Sequence, residues 1–266
     1  MTRIVQHNGH NIVDGVFQPK DFQLDGRLNL EGCTALTALP EGLRVTGSLN
    51  LRGCTALTTL PADLRVGGDI DLIDCTALAK LPERLHVNAS IRLAYCTALT
   101  TLPDGLSVGG DLDLRCCTAL TNLPAGLSVG ANLVLRACTA LTALPADLGV
   151  AGNIDLTLST ALTELPEGMR VSGWLSLYGC TALTKLPTGL NVVGGLGFKN
   201  LSITNDRIIL IRRPCPETIL SAAIGRRVGD VIQDWALSYR GTADRIIKRI
   251  ETDRNNNLVF LLEDGR

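Results

Sequence analysis

Apolar residues recur at fixed positions of a 21-residue unit that is repeated eight times between Arg27 and Gly194. The shared pattern reads x-L-x-L-x-x-C-T-A-L-x-x-L-P-x-x-L-x-V-x-x, and the fifth copy, DLDLRCCTALTNLPAGLSVGA, matches it at every fixed position. Tandem units of this length cannot each bury an apolar face alone, so they stack on one another and share a continuous core. The pattern therefore predicts a solenoid.

Within each unit the L-x-L pair alternates apolar and polar positions, as in Leu49 and Leu51, which predicts one short half-buried strand per copy. Strands that follow one another at a short fixed period lie parallel and side by side. The Leu-Pro pair, such as Leu60 and Pro61, begins the return to the next strand. Since proline lacks an amide donor and about ten residues leave no room for a long helix, we expect this return to be extended or a 3₁₀ turn, outside any strand ladder.

The ends of the repeat array predict two flanking segments. Residues 1–26, with Phe17, Phe22 and Leu24, are expected to cap the first repeat, and a degenerate ninth strand around Leu196 closes a solenoid that spans residues 27–200. Residues 201–266 break the pattern and predict a small α+β module that caps the last repeat, with a separate effector or assembly domain as the alternative role. Its predicted elements are a strand at 208–211, a helical stretch at 216–235, a second amphipathic stretch at 244–252 and a strand at 258–262.

Seven of the nine cysteines occupy the same slot of the repeat. Side chains translated along a parallel stack point the same way, so neighbouring thiols do not face one another as a disulfide requires. Ser159 fills this slot in the seventh copy, which indicates that the slot requires a small hydrogen-bonding residue rather than a disulfide or a metal ligand. We therefore expect buried, reduced thiols, which favour a cytoplasmic location.

Composition removes several function classes. The chain has 25 Lys plus Arg against 26 Asp plus Glu, without the dense positive stripe of a nucleic-acid-binding surface. No run approaches the roughly 18 apolar residues of a membrane span. None of the three histidines lies in a motif that pairs it with a nucleophile, and the glycines fall at turn slots rather than in a phosphate-binding loop. We expect no enzyme activity, metal, cofactor, nucleic acid or membrane partner.

The motif L-x-L-x-x-C-x-x-L followed by L-P-x-x-L resembles the leucine-rich repeat over about two thirds of the chain. The short unit and its Leu-Pro return are similar to the repeats of bacterial effector proteins that carry a ubiquitin-ligase domain. The resemblance implies an α/β repeat solenoid, a right-handed superhelix whose parallel sheet lines a concave face that binds a partner. Delivery into a host cell is the alternative location that this resemblance brings.

Variable residues on either side of each L-x-L pair form three columns on the outer side of the predicted sheet. The first column comprises Arg27, Ser48, Asp69, Ser90, Asp111, Asn132, Asn153 and Trp174. The second comprises Asn29, Asn50, Asp71, Arg92, Asp113, Val134, Asp155 and Ser176, and the third comprises Glu31, Arg52, Ile73, Ala94, Arg115, Arg136, Thr157 and Tyr178. We call this surface the sheet face. It combines acidic residues with arginines and ends in an aromatic pair.

Eight residues of the sheet face are the candidate contacts for a protein partner: Arg92, Arg115, Arg136, Asp71, Asp113, Asp155, Trp174 and Tyr178. Exposed aromatic residues beside arginine are typical of interface hot spots. Two structural alternatives stay open at this stage. Trp174 would pack against the C-terminal segment as part of its cap, and the charged columns would form a solubilising face with internal ion pairs.

The sequence leaves three functions to compare. The first is a non-enzymatic protein-binding module that uses the sheet face. The second is the substrate-recognition part of a ubiquitin-ligase-type effector. In that family the nucleophile lies in a Cys-x-Asp motif, whereas this chain has Cys215, Pro216 and Glu217 and a far shorter C-terminal segment. The third is a structural or self-assembling repeat protein, which the near-identity of the copies favours.

Overall fold

The computed structural model describes residues 4–83, 85–187 and 190–197, together with three strands at 207–210, 245–252 and 258–264. Residues 23–197 form a repeat β-solenoid in which each 21-residue unit makes one turn. Nine parallel strands, from the L-x-L pairs, form one sheet in sequential order. They are β5 Leu28–Asn29, β7 Leu49–Asn50, β9 Ile70–Asp71, β11 Ile91–Arg92, β13 Leu112–Asp113, β15 Leu133–Val134, β17 Ile154–Asp155, β19 Trp174–Ser176 and β21 Gly195–Gly197.

A second parallel sheet runs along the return limbs, and the prediction that this limb stays outside any ladder is wrong. Pro40 removes only its own amide, and the paired residues come four positions later, where an x-Val dipeptide is free to pair. The seven strands are β4 Gln23–Leu24, β6 Arg44–Val45, β8 Arg65–Val66, β10 His86–Val87, β12 Ser107–Val108, β14 Ser128–Val129 and β16 Gly149–Val150. A separate parallel pair, β18 Arg170–Val171 and β20 Asn191–Val192, occupies the same slot in later turns.

The expected α/β class is not found, because the described residues contain no helix. In the return limbs that the structure describes in full, a proline is combined with a turn and a two-residue strand, which leaves no length for helical hydrogen bonding. Residues 23–197 thus form a parallel β-solenoid of about eight turns.

The core lies between the two sheets and is built from stacked columns of equivalent residues. Five of the slots are nearly always leucine or isoleucine, one is cysteine and one is valine, and their side chains are almost all buried. In the third turn these residues are Ile70, Leu72, Cys75, Leu78, Leu81, Leu85 and Val87. Burying a leucine-sized side chain contributes roughly 1.5–3 kcal/mol, so the stacked columns are the main source of stability.

The N-terminal segment forms a three-stranded antiparallel sheet, β1 Ile4–His7, β2 His10–Val13 and β3 Val16–Gln18. Ile12 and Phe17 have no exposed surface and belong to the same apolar core as the solenoid. The carbonyl of Gly15 accepts hydrogen bonds from Thr37 N at 2.7 Å and from Thr37 Oγ1 at 3.0 Å. The segment therefore packs on the first turn.

The C-terminal strands pair antiparallel in the order β22 Arg207–Leu210, β24 Leu258–Asp264 and β23 Arg245–Thr252. The strands expected near 208–211 and 258–262 are confirmed. The amphipathic stretch at 244–252 is a strand with an irregularity between Ile247 and Arg249, because its β-branched isoleucines favour extended backbone. The helix expected at 216–235 lies outside the described residues, and the α+β cap is not supported by the part of the chain that the structure describes.

Candidate functional site

The sheet face is in register from the first to the last turn. Second-column residues pair directly along the sheet, from Asn29 with Asn50 to Asp155 with Ser176. Parallel neighbours lie about 4.8 Å apart, so each column is a ladder of closely spaced side chains. Adjacent side chains can therefore bond to one another or to the next turn of backbone.

The first column is a hydrogen-bonded ladder. From Ser48 to Asn153, each side-chain oxygen accepts a hydrogen bond from the backbone N–H of the residue in the same slot of the following turn. The donor–acceptor distances range from 3.2 Å at Asp69 N to 2.6 Å at Trp174 N. Because these oxygens hold the next turn in place, the column is part of the fold.

The second column makes local turns at the ends of the strands. Oδ1 of each Asn or Asp accepts a hydrogen bond from the backbone N–H two residues later, as Asp71 does from Ile73 at 3.1 Å. Asp113 and Asp155 do the same for Arg115 and Thr157, at 3.1 and 2.9 Å. Such Asx turns fix the direction in which the chain leaves the sheet. The three predicted aspartates therefore each use one carboxylate oxygen structurally.

Two of the three predicted arginines are paired within the sheet face. Arg115 forms a forked contact with Asp113, with Nε at 3.0 Å and Nη2 at 2.6 Å, and this hydrogen bond raises the pKa of the guanidinium. Arg92 forms an ion pair with Asp69 at 3.2 Å. The internal ion pairs considered from the sequence are thus present.

Arg136 differs from these two arginines. Its side chain is exposed and forms no hydrogen bond or ion pair with any other residue that the structure describes. It lies in the third column, two turns before Tyr178, which corresponds to about 10 Å along the stack. Of the three arginines predicted to contact a partner, only Arg136 has no ion pair with another residue in the described part of the chain.

The aromatic pair lies over the glycines of the last strand. A Cβ placed on Gly195 would stand 2.9 Å from the indole ring of Trp174, and one on Gly197 would stand 2.8 Å from the phenol ring of Tyr178. Trp174 nevertheless keeps 43% of its surface exposed. Both rings therefore combine a packing role on β21 with accessible surface.

One feature of this surface was missed from the sequence. The residue just before the cysteine slot has positive φ in all eight turns, with values between 58° and 73°. We call these residues the left-handed column: Gly32, Gly53, Asp74, Tyr95, Cys116, Ala137, Leu158 and Gly179. Glycine in three of the eight copies was the signal, since glycine is the residue that adopts positive φ freely.

Cys215 lies outside the described residues. Within the described ranges, no cluster of three or more His, Cys, Asp or Glu side chains could hold a metal ion. The described residues include no helix that could span a membrane. No protein-family model, curated protein or solved structure matches this chain.

Proposed function

We propose that this chain is a leucine-rich-repeat protein that binds a partner protein through the sheet face. The repeat pattern supports the family, because the L-x-L strand, the buried cysteine slot and the Leu-Pro return stand in each turn where that family has them. The observation that carries the binding role is the exposed guanidinium of Arg136, which has no side-chain partner among the described residues and lies two turns from Tyr178 on the same face. Arg, Trp and Tyr are the residues most enriched among binding hot spots.

Hydrogen bonds and ion pairs within the sheet face leave fewer of its residues available to contact a partner. Asp71, Asp113 and Asp155 hold turns, and Arg92 and Arg115 are neutralised by neighbouring carboxylates. A partner that bound these residues would break their internal bonds, and the free energy lost in breaking them would offset the free energy gained on binding. Binding energy therefore comes mainly from Arg136, Trp174 and Tyr178, and the paired residues provide a rigid surround.

The proposed location is a reducing compartment. All eight cysteines in the described residues are free, and seven of them are buried. This many unbridged thiols suits the cytoplasm of the cell that makes the protein, or of a host cell that receives it.

Affinity capture with matched variants tests the binding role. The intact protein, Arg136→Ala and Arg52→Ala would each be immobilised and exposed to cell lysates, and the bound proteins identified by mass spectrometry. Arg52 is the matched control, because it is also an exposed third-column arginine without a side-chain partner among the described residues. We expect a discrete partner that Arg52→Ala retains and Arg136→Ala loses.

Two outcomes would contradict the proposal. A partner captured equally by all three proteins would place binding elsewhere on the molecule. Absence of any partner, together with concentration-dependent oligomers in sedimentation, would favour self-assembly.

A further inference from the structure

The left-handed column is ordered as tightly as the sheet beside it. In the first seven turns the backbone N–H of this column donates to the third-column carbonyl of the next turn, including Tyr95 N to Arg115 O at 2.7 Å and Leu158 N to Tyr178 O at 2.6 Å. These bonds extend the sheet register by two residues beyond the paired strands. Side chains in this column therefore stack at the spacing of the sheet, about 4.8 Å per turn.

Five consecutive turns place side chains where the fold favours glycine. Turns one, two and eight have Gly32, Gly53 and Gly179 in this slot, so glycine is compatible with the turn. The residues between them carry a Cβ at φ values of 58° to 64°, which L-residues other than Asn and Asp rarely adopt. Glycine would relieve the backbone strain at these five positions. Because side chains are present there in spite of the strain, we infer that those side chains have a function.

The side chains at the two ends of this stretch are large, apolar and accessible. Tyr95 is 51% exposed and Leu158 is 45% exposed, and both are among the few large hydrophobic residues on the surface of the described chain. Between them stand two small residues, Cys116 and Ala137, each partly exposed. Two large residues flanking two small ones over three turns, about 14 Å, form a shallow apolar seat.

The third-column side of the seat has an excess of positive charge. Arg115 and Arg136 lie next to the small residues in the third column, and both are exposed. Asp113 neutralises Arg115, whereas Arg136 has no carboxylate partner among the described residues. An occupant with a carboxylate beside its apolar side chain would complement both the seat and the charge.

We propose that the seat formed by Tyr95, Cys116, Ala137 and Leu158 docks a short peptide segment of the partner protein, one that carries a large apolar side chain next to an acidic residue. This inference rests on the proposed function and specifies the chemistry of the partner. The apolar side chain lies over Cys116 and Ala137 between the two flanking side chains, and the carboxylate pairs with Arg136.

Selection from a displayed random peptide library on the intact protein tests this seat. We expect the selected peptides to contain a large apolar residue adjacent to Asp or Glu. The affinity of a selected peptide should fall at least tenfold in Tyr95→Gly and in Leu158→Gly, and severalfold in Arg136→Gln. The glycine variants suit the test because they introduce the residue that the same slot has in three other turns.

A matched control and a local reporter sharpen the result. Asp74→Gly makes the same change in the same column outside the seat and should leave affinity unchanged. In a Cys215→Ser background, Cys116 is the only described thiol with appreciable exposure, so bound peptide should slow its reaction with a thiol reagent.

Distinct outcomes would overturn this inference. Failure to select any peptide, or peptides whose affinity the two glycine variants leave unchanged, would exclude the seat as their docking site. If Arg136→Gln alone weakened binding, the sheet face would still bind its partner and only the seat would be wrong. If binding survived every variant, the proposed function would fail as well. Dimers that dissociate in Leu158→Gly would identify a second copy of the chain as the occupant.

Discussion

Ser159 shows what the cysteine slot requires of a single residue. Its side chain is completely buried, and its Oγ donates to the carbonyl of Leu135 at 2.8 Å. Thiols in six other turns donate to the equivalent leucine carbonyl 24 residues earlier, at 3.0 to 3.2 Å. The prediction of a small, buried hydrogen-bonding residue is therefore confirmed. The acceptor could not be predicted, because it belongs to the previous turn.

The buried thiols predict a loss of stability at alkaline pH. Burial raises the pKa of Cys54, Cys96, Cys138 and Cys180 from 9.0 to about 12. Between these values the folded chain keeps protons that the unfolded chain releases, so stability is complete below pH 9 and falls as pH rises towards 12. Each thiol contributes a slope of about 1.4 kcal/mol per pH unit. Urea denaturation between pH 7.5 and 10.5 measures this slope.

The control for this pH prediction is a Cys138→Ser, Cys180→Ser variant. Serine is native to this slot in one turn and does not ionise in this range, so the variant should have a shallower slope than the intact protein. An identical slope in both proteins would show that other groups control alkaline unfolding.

The left-handed column predicts a stabilising substitution. Ala137 has φ of 58°, a conformation that costs an L-residue about 1–2 kcal/mol. Ala137→Gly removes this strain but adds chain entropy to the unfolded state, so we expect a net gain of about 0.5–1 kcal/mol in the free energy of unfolding. Ala140→Gly is the control. Ala140 lies in the same turn with similar exposure and without positive φ, so its replacement should destabilise.

At the scale of the element, the sequence predicts the L-x-L strands but does not predict that the return limbs also pair as a sheet. The L-x-L strands are recognisable because their alternation is repeated eight times. The return-limb strands are two residues long, too short for any alternation to be recognised, and they pair only because stacking places equivalent x-Val dipeptides side by side. The strand at 245–252 was not distinguished from a helix for a related reason, since apolar spacing in so few residues fits both equally well.

The aromatic pair and the last strand predict a coupled pair of substitutions. Gly195→Ala would push a methyl group into the indole ring of Trp174, and overpacking of this kind costs about 1–3 kcal/mol. Gly195 also has φ of 151°, so the backbone part of the cost remains in a Trp174→Ala background, and only the part that comes from the ring contact should disappear. A double-mutant cycle by urea denaturation measures this coupling.

Gly149→Ala is the matched control for this cycle. A Cβ on Gly149 would meet no atom closer than 3.8 Å, so the change should not depend on Trp174. Additive effects of Gly195→Ala and Trp174→Ala would show that the ring does not restrict this strand.

At the scale of the whole molecule, stability comes from contacts between adjacent turns. Core columns, the first-column ladder and both sheets join each turn to its neighbours. The solenoid could be predicted from the sequence because the same 21-residue pattern specifies every turn and its contacts with the next. The sequence did not predict that Arg136 lacks a carboxylate partner among the described residues, because pairing depends on which carboxylates the neighbouring turns supply.

Removal of one whole unit should preserve the fold. Deletion of residues 112–132 joins Asp111 to Leu133 and leaves every column in register, so we expect an unchanged type of circular dichroism spectrum and a smaller urea m-value, since less surface is buried. Deletion of residues 112–130 removes two residues fewer and shifts all later slots, so it should abolish cooperative unfolding. Equal behaviour of the two deletions would contradict a fold defined by the 21-residue register.

The near-identity of the turns also has a kinetic consequence. A chain that pairs one turn with the next but one, and loops out the unit between them, buries almost the same side chains as the native chain. Misaligned states of this kind lie close in energy to the native state and slow its recovery. Ser159 and the Trp174–Gly195 contact occur once each in the described array. These contacts form only when the turns pair in their native order, so they favour the native alignment over misaligned ones.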